Sequence, residues 1–239
     1  MRPVALRSTS ACRGYAKVIR TLERIPVSVC ASRIISAVDE RLRSQLKLPA
    51  SVHSLALFTA DCDDATYIAA DEATKQAQVQ VVFGQSFYAG AKHGPSSTAG
   101  EVLVMLGSTS PAEAQSGLKA ALSMLSETHA GPCFHWANAQ KTVAFMAYTV
   151  SSCGPYLAAM AQVAEGTALA YLIAPPLESM VGLDAALKAA DVQLACHFSP
   201  PSPTNYGGAL LSGTVAACDA AAEAFAREVV SVACDPRRT

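Results

Sequence analysis

DEATKQAQVQVVF (71–83) returns 113 residues further on as DAALKAADVQLAC (184–196). Aligned without gaps, Asp71/Asp184, Ala73/Ala186, Lys75/Lys188, Ala77/Ala190, Val79/Val192 and Gln80/Gln193 are identical, and Val81/Leu194 is conservative. An alanine-rich chain repeats alanines by chance, but Asp, Lys and Gln falling in register favour duplication of one αβ unit. Similarity resumes at another offset, where EVLVMLGSTSPAEA (101–114) meets ALLSGTVAACDA (209–220), because the loop 84–99 is longer than 199–206. Such length changes fall in loops, where insertions cost little. Upstream, SLALFTA (54–60) and TVAFMAYTV (142–150) both read as apolar strands, each leading to a Tyr-aliphatic-aliphatic segment, at Tyr67 and Tyr171. Each half is therefore a domain-sized copy.

Composition bounds the class. The 239 residues are 51% hydrophobic and 15% charged with net charge −1, which suits a soluble chain with two cores of about 100 residues each and no nucleic-acid partner. The uncharged stretch 142–164 is broken by Ser151, Ser152, Gly154 and Pro155, so no transmembrane helix is expected. Eight cysteines without a CxxC pair read as small core residues in a reducing cytoplasm, with no support for a metal or disulfide role. Residues 1–21 carry Arg2, Arg7, Arg13, Lys17 and Arg20 and no acidic residue before Glu23. A flexible basic arm, a start codon placed too far upstream and a targeting peptide all fit that bias, and the folded part is expected to begin near Leu22.

Periodicity predicts a helix over 28–46 from Val29, Ile34, Ile35, Val38, Leu42 and Leu46, stopped by Pro49. There follow a strand (53–60), an acidic turn, an extended piece (66–69), a helix (70–77), a strand (78–83), a Gly-rich loop, a strand (101–106) and a helix (111–126). Ser110, Pro111 and Glu113 supply a cap oxygen, a preset φ and a capping-box carboxylate for that last helix. Leu118, Leu122 and Leu125 give it an apolar stripe. The second half repeats the order, with an extra helical segment (154–165) inserted after its first strand. Helices against one face of a mostly antiparallel sheet place the fold in the α+β class.

Three constellations could carry chemistry. Asp61, Asp63 and Asp64 follow an apolar strand, as in the aspartate-nucleophile motif of haloacid-dehalogenase-like phosphatases. That match is poor, since Ala65 stands where Thr or Val is usual and no Gly-Asp-x-x-x-Asp follows; a solvated acidic turn or a cation-attracting rim remain. The loop 83–101 combines four glycines with Phe87, Tyr88, Lys92 and His93 but lacks phosphate-loop spacing, which favours a lid or pore lining. FHWAN (134–138) holds the single tryptophan, either a core residue or an aromatic wall for a small cation.

The run LPASVHSLALFTADCDDATYIAADEATKQAQVQVVFGQSFYAGAKHGPSSTAGEVLVMLG, with FHWAN, YLIAPPLE, DAALKAADVQLA and PPSPTNY, resembles the EutL family of ethanolamine-utilisation microcompartment shell proteins, from about Leu22 to the C-terminus. DAALKAADVQL also resembles the general signature of bacterial microcompartment shell domains. The resemblance implies two tandem, circularly permuted shell domains, at 22–128 and 129–239, after a basic extension at 1–21. It implies a non-enzymatic homotrimer that passes as a hexamer, tiles with other shell proteins around a compartment in the cytoplasm, and offers small solutes a gated central pore.

Lys75 and Lys188 would take the edge-lysine position of such discs. Phe87, Tyr88, Gly90 and His93 from one loop, with Asn205 and Tyr206 from the other, would line the central pore. Asp63, Asp64 and Glu101 match the carboxylates of a smaller pore that takes ethanolamine, with Phe134 and Trp136 as its wall. No cofactor or metal is required, and ethanolamine or cobalamin are the candidate bound ligands. A sensor or carrier of such a molecule on the same fold is the alternative.

Overall fold

The computed structural model describes residues 22–87, 101–200, 202 and 204–237. Two antiparallel sheets form its frame. The first has the order β2-β3-β5-β4, from Val29–Ile35 (β2), Ser54–Ala60 (β3), Val79–Ser86 (β4) and Val102–Ser108 (β5). The second has the order β1-β6-β7-β8-β10-β9. It is built from Arg24–Ile25 (β1), Phe134–Trp136 (β6), Ala144–Val150 (β7), Ala168–Ala174 (β8), Gln193–Phe198 (β9) and Gly207–Gly213 (β10). Six helices are described: α1 (Glu40–Gln45), α2 (Asp63–Gln76), α3 (Pro111–Leu125), α4 (Pro155–Ala161), α5 (Pro176–Ala189) and α6 (Val215–Cys234).

Each sheet is covered on one face by a helix pair. Ala65, Ala69 and Ala73 of α2 and Ala114, Leu118 and Ala121 of α3 pack on Ala56, Phe58 and Ala60 of β3 and Val104 and Leu106 of β5. Alanine on the helices lets their axes approach the strands closely, so phenylalanine and leucine fill the space between. In the second half Leu183 and Ala186 of α5 and Phe225 and Val229 of α6 do the same against Leu172 and Leu211.

The halves meet along α2, whose opposite side delivers Ile68 into a separate cluster with Met146, Val150, Leu157, Leu169, Tyr171 and Ile173 of the second half. Asp71 fixes this joint. Its carboxylate accepts the N–H groups of Gly154 at 2.7 Å and Leu157 at 2.9 Å, at the buried N-terminus of α4.

The duplication is plain in the fold, but the halves correspond differently from the expected alignment. β3, between β2 and β5, holds the place in its sheet that β8, between β7 and β10, holds in the other, so SLALFTA answers to ALAYLIA and not to the 142–150 strand. Tyr67 therefore lies on a helix and Tyr171 on a strand, and they are not equivalents. Nor is the helix after the second half's first strand an insertion, since α1 and α4 match at an offset of 115 residues. Lys47 and Gln162 both take left-handed backbone, φ 52 and 53. Leu48 N–H donates to Arg43 and Val163 N–H to Ala158, each at 3.0 Å.

Four local expectations are corrected. The segment 28–46 is β2, a turn and the short α1: Val29, Ile34 and Ile35 are β-branched and gain a ladder with β3, and Asp39 caps a new helix through Arg41 N–H at 3.0 Å. Residues 66–69 are the second turn of α2, which runs unbroken from Asp63. On α3, Ser110 accepts the Glu113 N–H at 3.3 Å as expected, but the Glu113 carboxylate accepts from Gln78 N–H at 2.7 Å rather than reaching back to Ser110. Arg24 and Ile25, expected at the head of the first domain, pair with His135 and Phe134 at the edge of the second sheet. Among the described residues no helix is long and apolar enough to cross a membrane.

Candidate functional site

The N-terminus of α2 and the exposed end of the second sheet enclose a cavity of about 250 Å³. Asp63 and Asp64 form the first turn of α2, where free N–H groups and the helix dipole favour carboxylates. Both are only 8% exposed. Tyr171, on β8, donates its hydroxyl to Asp64 Oδ1 at 2.8 Å. Ser86 at the end of β4 donates to Asp63 Oδ2, and the Tyr67 hydroxyl lies 3.0 Å from Ser86 Oγ. Since Ser86 spends its proton on Asp63, Tyr67 is the donor in that second bond. The backbone N–H of Asp64 donates to Asp63 Oδ1 at 2.9 Å, which fixes the Asp63 carboxylate against the first turn of the helix.

Burial holds the Asp64 carboxyl well above the usual carboxylate range, reinforced by the neighbouring Asp63 charge and opposed by the Tyr171 hydrogen bond. Burial likewise pushes Tyr67 up to about 12 and Tyr171 well above its ordinary value. Cys62, just before the helix, is raised well above a normal thiol by burial and by Asp64. Glu101 is anchored beside this cluster: its N–H donates to Ala60 and its carbonyl accepts from Phe87 N–H, both at 2.7 Å. Its charge adds to the larger effect of burial in raising the Asp64 carboxyl and the Tyr206 hydroxyl. A cluster with this balance of buried acids and hydroxyl donors can take a small cation that is also a hydrogen-bond donor.

The aromatic residues divide. Phe134 stands edge-on to Tyr206, with ring centroids 5.5 Å apart, and Tyr206 lines the cavity with Met160, Ile173 and Phe198. Tyr206, expected in the central-pore loop, is thus part of the acidic cavity. Trp136 is two residues beyond Phe134 on the same strand face, bonded through its N–H to the Glu23 carbonyl, and does not line the cavity. Asn205 is exposed and holds φ 60, a left-handed conformation that asparagine tolerates better than most residues. Phe87 is 37% exposed at the end of β4, and Tyr88, Gly90 and His93 lie outside the described residues.

The two lysines also part company. Lys75 Nζ bonds the Ser152 carbonyl at 3.0 Å and Glu72 at 2.5 Å, so its ammonium is engaged at the joint between the halves. Lys188 remains 74% exposed and pairs with Asp184 on its own helix at 2.6 Å. Tyr67, Ser86 and Tyr171 escape the sequence reading. A tyrosine inside the otherwise apolar ALAYLIA was the available signal, because a buried phenol requires a partner. Among the described residues no His, Cys, Asp and Glu cluster is arranged to hold a metal ion.

No family model matches the sequence. Individual relatives do. The chain is 53% identical over 215 residues to the bacterial microcompartment shell protein EutL of Salmonella typhimurium, covering 90% of this chain and 97% of that protein. It is 49% identical over 209 residues to EutL of Clostridium perfringens, at 87% and 95% coverage. The crystal structure of the ethanolamine utilization protein EutL from Leptotrichia buccalis superposes with a TM-score of 0.88 at 46% identity, covering 91% of this chain and 99% of that one.

Proposed function

The chain belongs to the EutL family of bacterial microcompartment shell proteins, and from that membership we propose that three copies form a pseudohexagonal disc that tiles the shell of an ethanolamine-utilisation microcompartment. The family is one of shell proteins, not enzymes. The observation that carries the assembly is the internal joint: α2 of one half seats on α4 of the other, and a second helix of the same kind, α5, stands ready to repeat the contact. Light scattering is expected to give a particle of about 75 kDa, three times the 24.8 kDa chain, and electron microscopy hexagonal sheets. A monomer that never tiles would sink the shell reading and favour a solute sensor or carrier on the same fold.

The disc would carry two kinds of opening. The loop after β4 and the 200–206 loop are the candidates for a gated central pore, with Phe87 and Asn205 at their described ends. The cavity at Asp63 and Asp64 is the candidate small pore, with Glu101 beside it and Phe134 backing Tyr206 in its wall. About 250 Å³ suits a small amine such as ethanolamine and is too small for a corrinoid, so cobalamin is not the ligand of this cavity.

An ammonium prefers the ionised acid, so ethanolamine binding should strengthen as pH rises through the elevated Asp64 value and should release a proton below it. Without ligand the sign reverses. Asp64 favours the fold most fully below its unfolded value near 3.8 and loses that contribution as pH climbs through its folded value. Calorimetry in two buffers of different ionisation enthalpy reads the proton, and Asp64→Asn combined with Glu101→Gln should abolish the binding heat. An affinity unaffected by that double change would place the amine elsewhere.

A further inference from the structure

The two acids of the cavity are held unequally. Asp63 accepts at both oxygens, the backbone N–H of Asp64 at Oδ1 and the Ser86 hydroxyl at Oδ2. Among the described residues Asp64 accepts at Oδ1, from the Tyr171 hydroxyl at 2.8 Å. A carboxyl group that accepts at both oxygens is best matched in its ionised form, because hydrogen bonds made to the charge favour the charge. Burial is the largest influence raising the Asp64 carboxyl and the Asp63 charge the next, and a hydrogen bond between the two carboxyl groups acts in the same direction.

The donor to Asp63 is itself set in place. Tyr67 lies one turn after Asp63 on α2, so both project from one side of the helix, and Ser86 bridges them from the end of β4. With the Tyr67 hydroxyl donating to Ser86 Oγ at 3.0 Å, the Ser86 proton is left directed at Asp63. Burial pushes Tyr67 up to about 12, so it stays a donor across the neutral range. The phenol also has a prepared place. Its ring lies 6.3 Å from that of Tyr156, beside Gly84, which precedes Ser86 by two residues on the same face of β4. A methyl group at Gly84 would stand 2.9 Å from the Tyr156 hydroxyl oxygen and 3.5 Å from Tyr67 Cε1, so the ring pair fits because that position has no side chain.

We infer that Tyr67 and Ser86 are positioning residues of the amine site: acting in series, they hold Asp63 as the charged member of the pair and leave Asp64 as the member that carries the proton. This rests on the small-amine reading of the cavity and assigns the work of its hydroxyl groups. Neither residue has to touch the amine, since the effect passes through the Asp63 carboxylate. The groups that face the pair are Cys62 and Tyr67 on its own segment, Ser86 from β4, Glu101 before β5, Tyr171 from β8 and Tyr206 before β10. The Glu101 charge opposes ionisation of the pair, whereas hydroxyl donors favour it. Tyr171 serves Asp64 directly, and the Tyr67–Ser86 series serves Asp63.

The test is calorimetric titration of ethanolamine into the full chain from about pH 5 to about pH 9. Ser86→Ala should weaken binding about tenfold near neutral pH and move its strengthening to higher pH, because the pair then gives up its proton less readily. Ser86→Thr keeps the hydroxyl and suits a strand, and should restore both readings. Tyr67→Phe should weaken binding about threefold, with a pH shift of the same sign. The double variant Tyr67→Phe/Ser86→Ala should bind no worse than Ser86→Ala, since Tyr67 acts through Ser86. Tyr67→Phe removes one oxygen and keeps the ring, so it carries the test if Ser86→Ala does not accumulate. A wild-type pH profile in Ser86→Ala and Tyr67→Phe, or losses that add in the double variant, would overturn the relay and leave the amine site intact. A wild-type chain that binds no ethanolamine at any pH overturns the amine site, and the relay with it.

Discussion

Gly208→Ala is expected to cost the protein about 3 kcal/mol or more, a large share of the 5–15 kcal/mol that holds a typical domain together. Gly208 lies in β10 between Ile173 of β8 and Phe198 of β9. A methyl group built there lands on the Leu172 carbonyl oxygen and 2.7 Å from Ile173 Cδ1. The obstacle is backbone in the middle of a sheet, so relief means breaking ladder hydrogen bonds or pushing β8 off the α5–α6 layer. Urea denaturation followed by circular dichroism should show a much lower midpoint, or the variant should fail to accumulate as soluble protein. A change within about 0.5 kcal/mol would mean that the strands yield far more easily than this packing allows.

Asp71→Ala should be nearly as damaging, at about 3 kcal/mol, because it strands two buried N–H groups, those of Gly154 and Leu157, at a helix terminus. Asp71→Asn keeps one acceptor oxygen and should cost about half as much. The loss falls on the joint between the halves and not on either core, which gives it a signature. Trp136 is the only tryptophan and lies in the second sheet, so its fluorescence reports that half. In Asp71→Ala the fluorescence and circular dichroism transitions should separate, and coincident transitions with wild-type stability would remove Asp71 from the joint.

Much of this was legible in the residues. The 71–83 and 184–196 repeat announced two copies of one unit, and Ser110 and Pro111 marked the start of α3. Local signals failed where burial decided. Val29 to Leu46 has helical spacing, but β2 gains more by pairing with β3 than a helix would by itself. The 66–69 segment is apolar in either reading, and periodicity over four residues cannot separate strand from helix. Asp63 and Asp64 stood out as a pair of acids, whereas Ser86 and Tyr171, 23 and 107 residues from the acids they bond, were reached only through the fold.

Asp71 and Asp184 mark the division between the two sources of information. Sequence by itself determined that both exist, at matching places on matching helices followed by matching strands, because helix and strand formation depend on residues close along the chain. Tertiary structure decided that Asp71 is 1% exposed and caps α4, whereas Asp184 faces solvent beside Lys188. The same residue has two environments because only Asp71 has a helix N-terminus packed against it. Burial and hydrogen bonding depend on what the fold brings alongside, and no local pattern carries that.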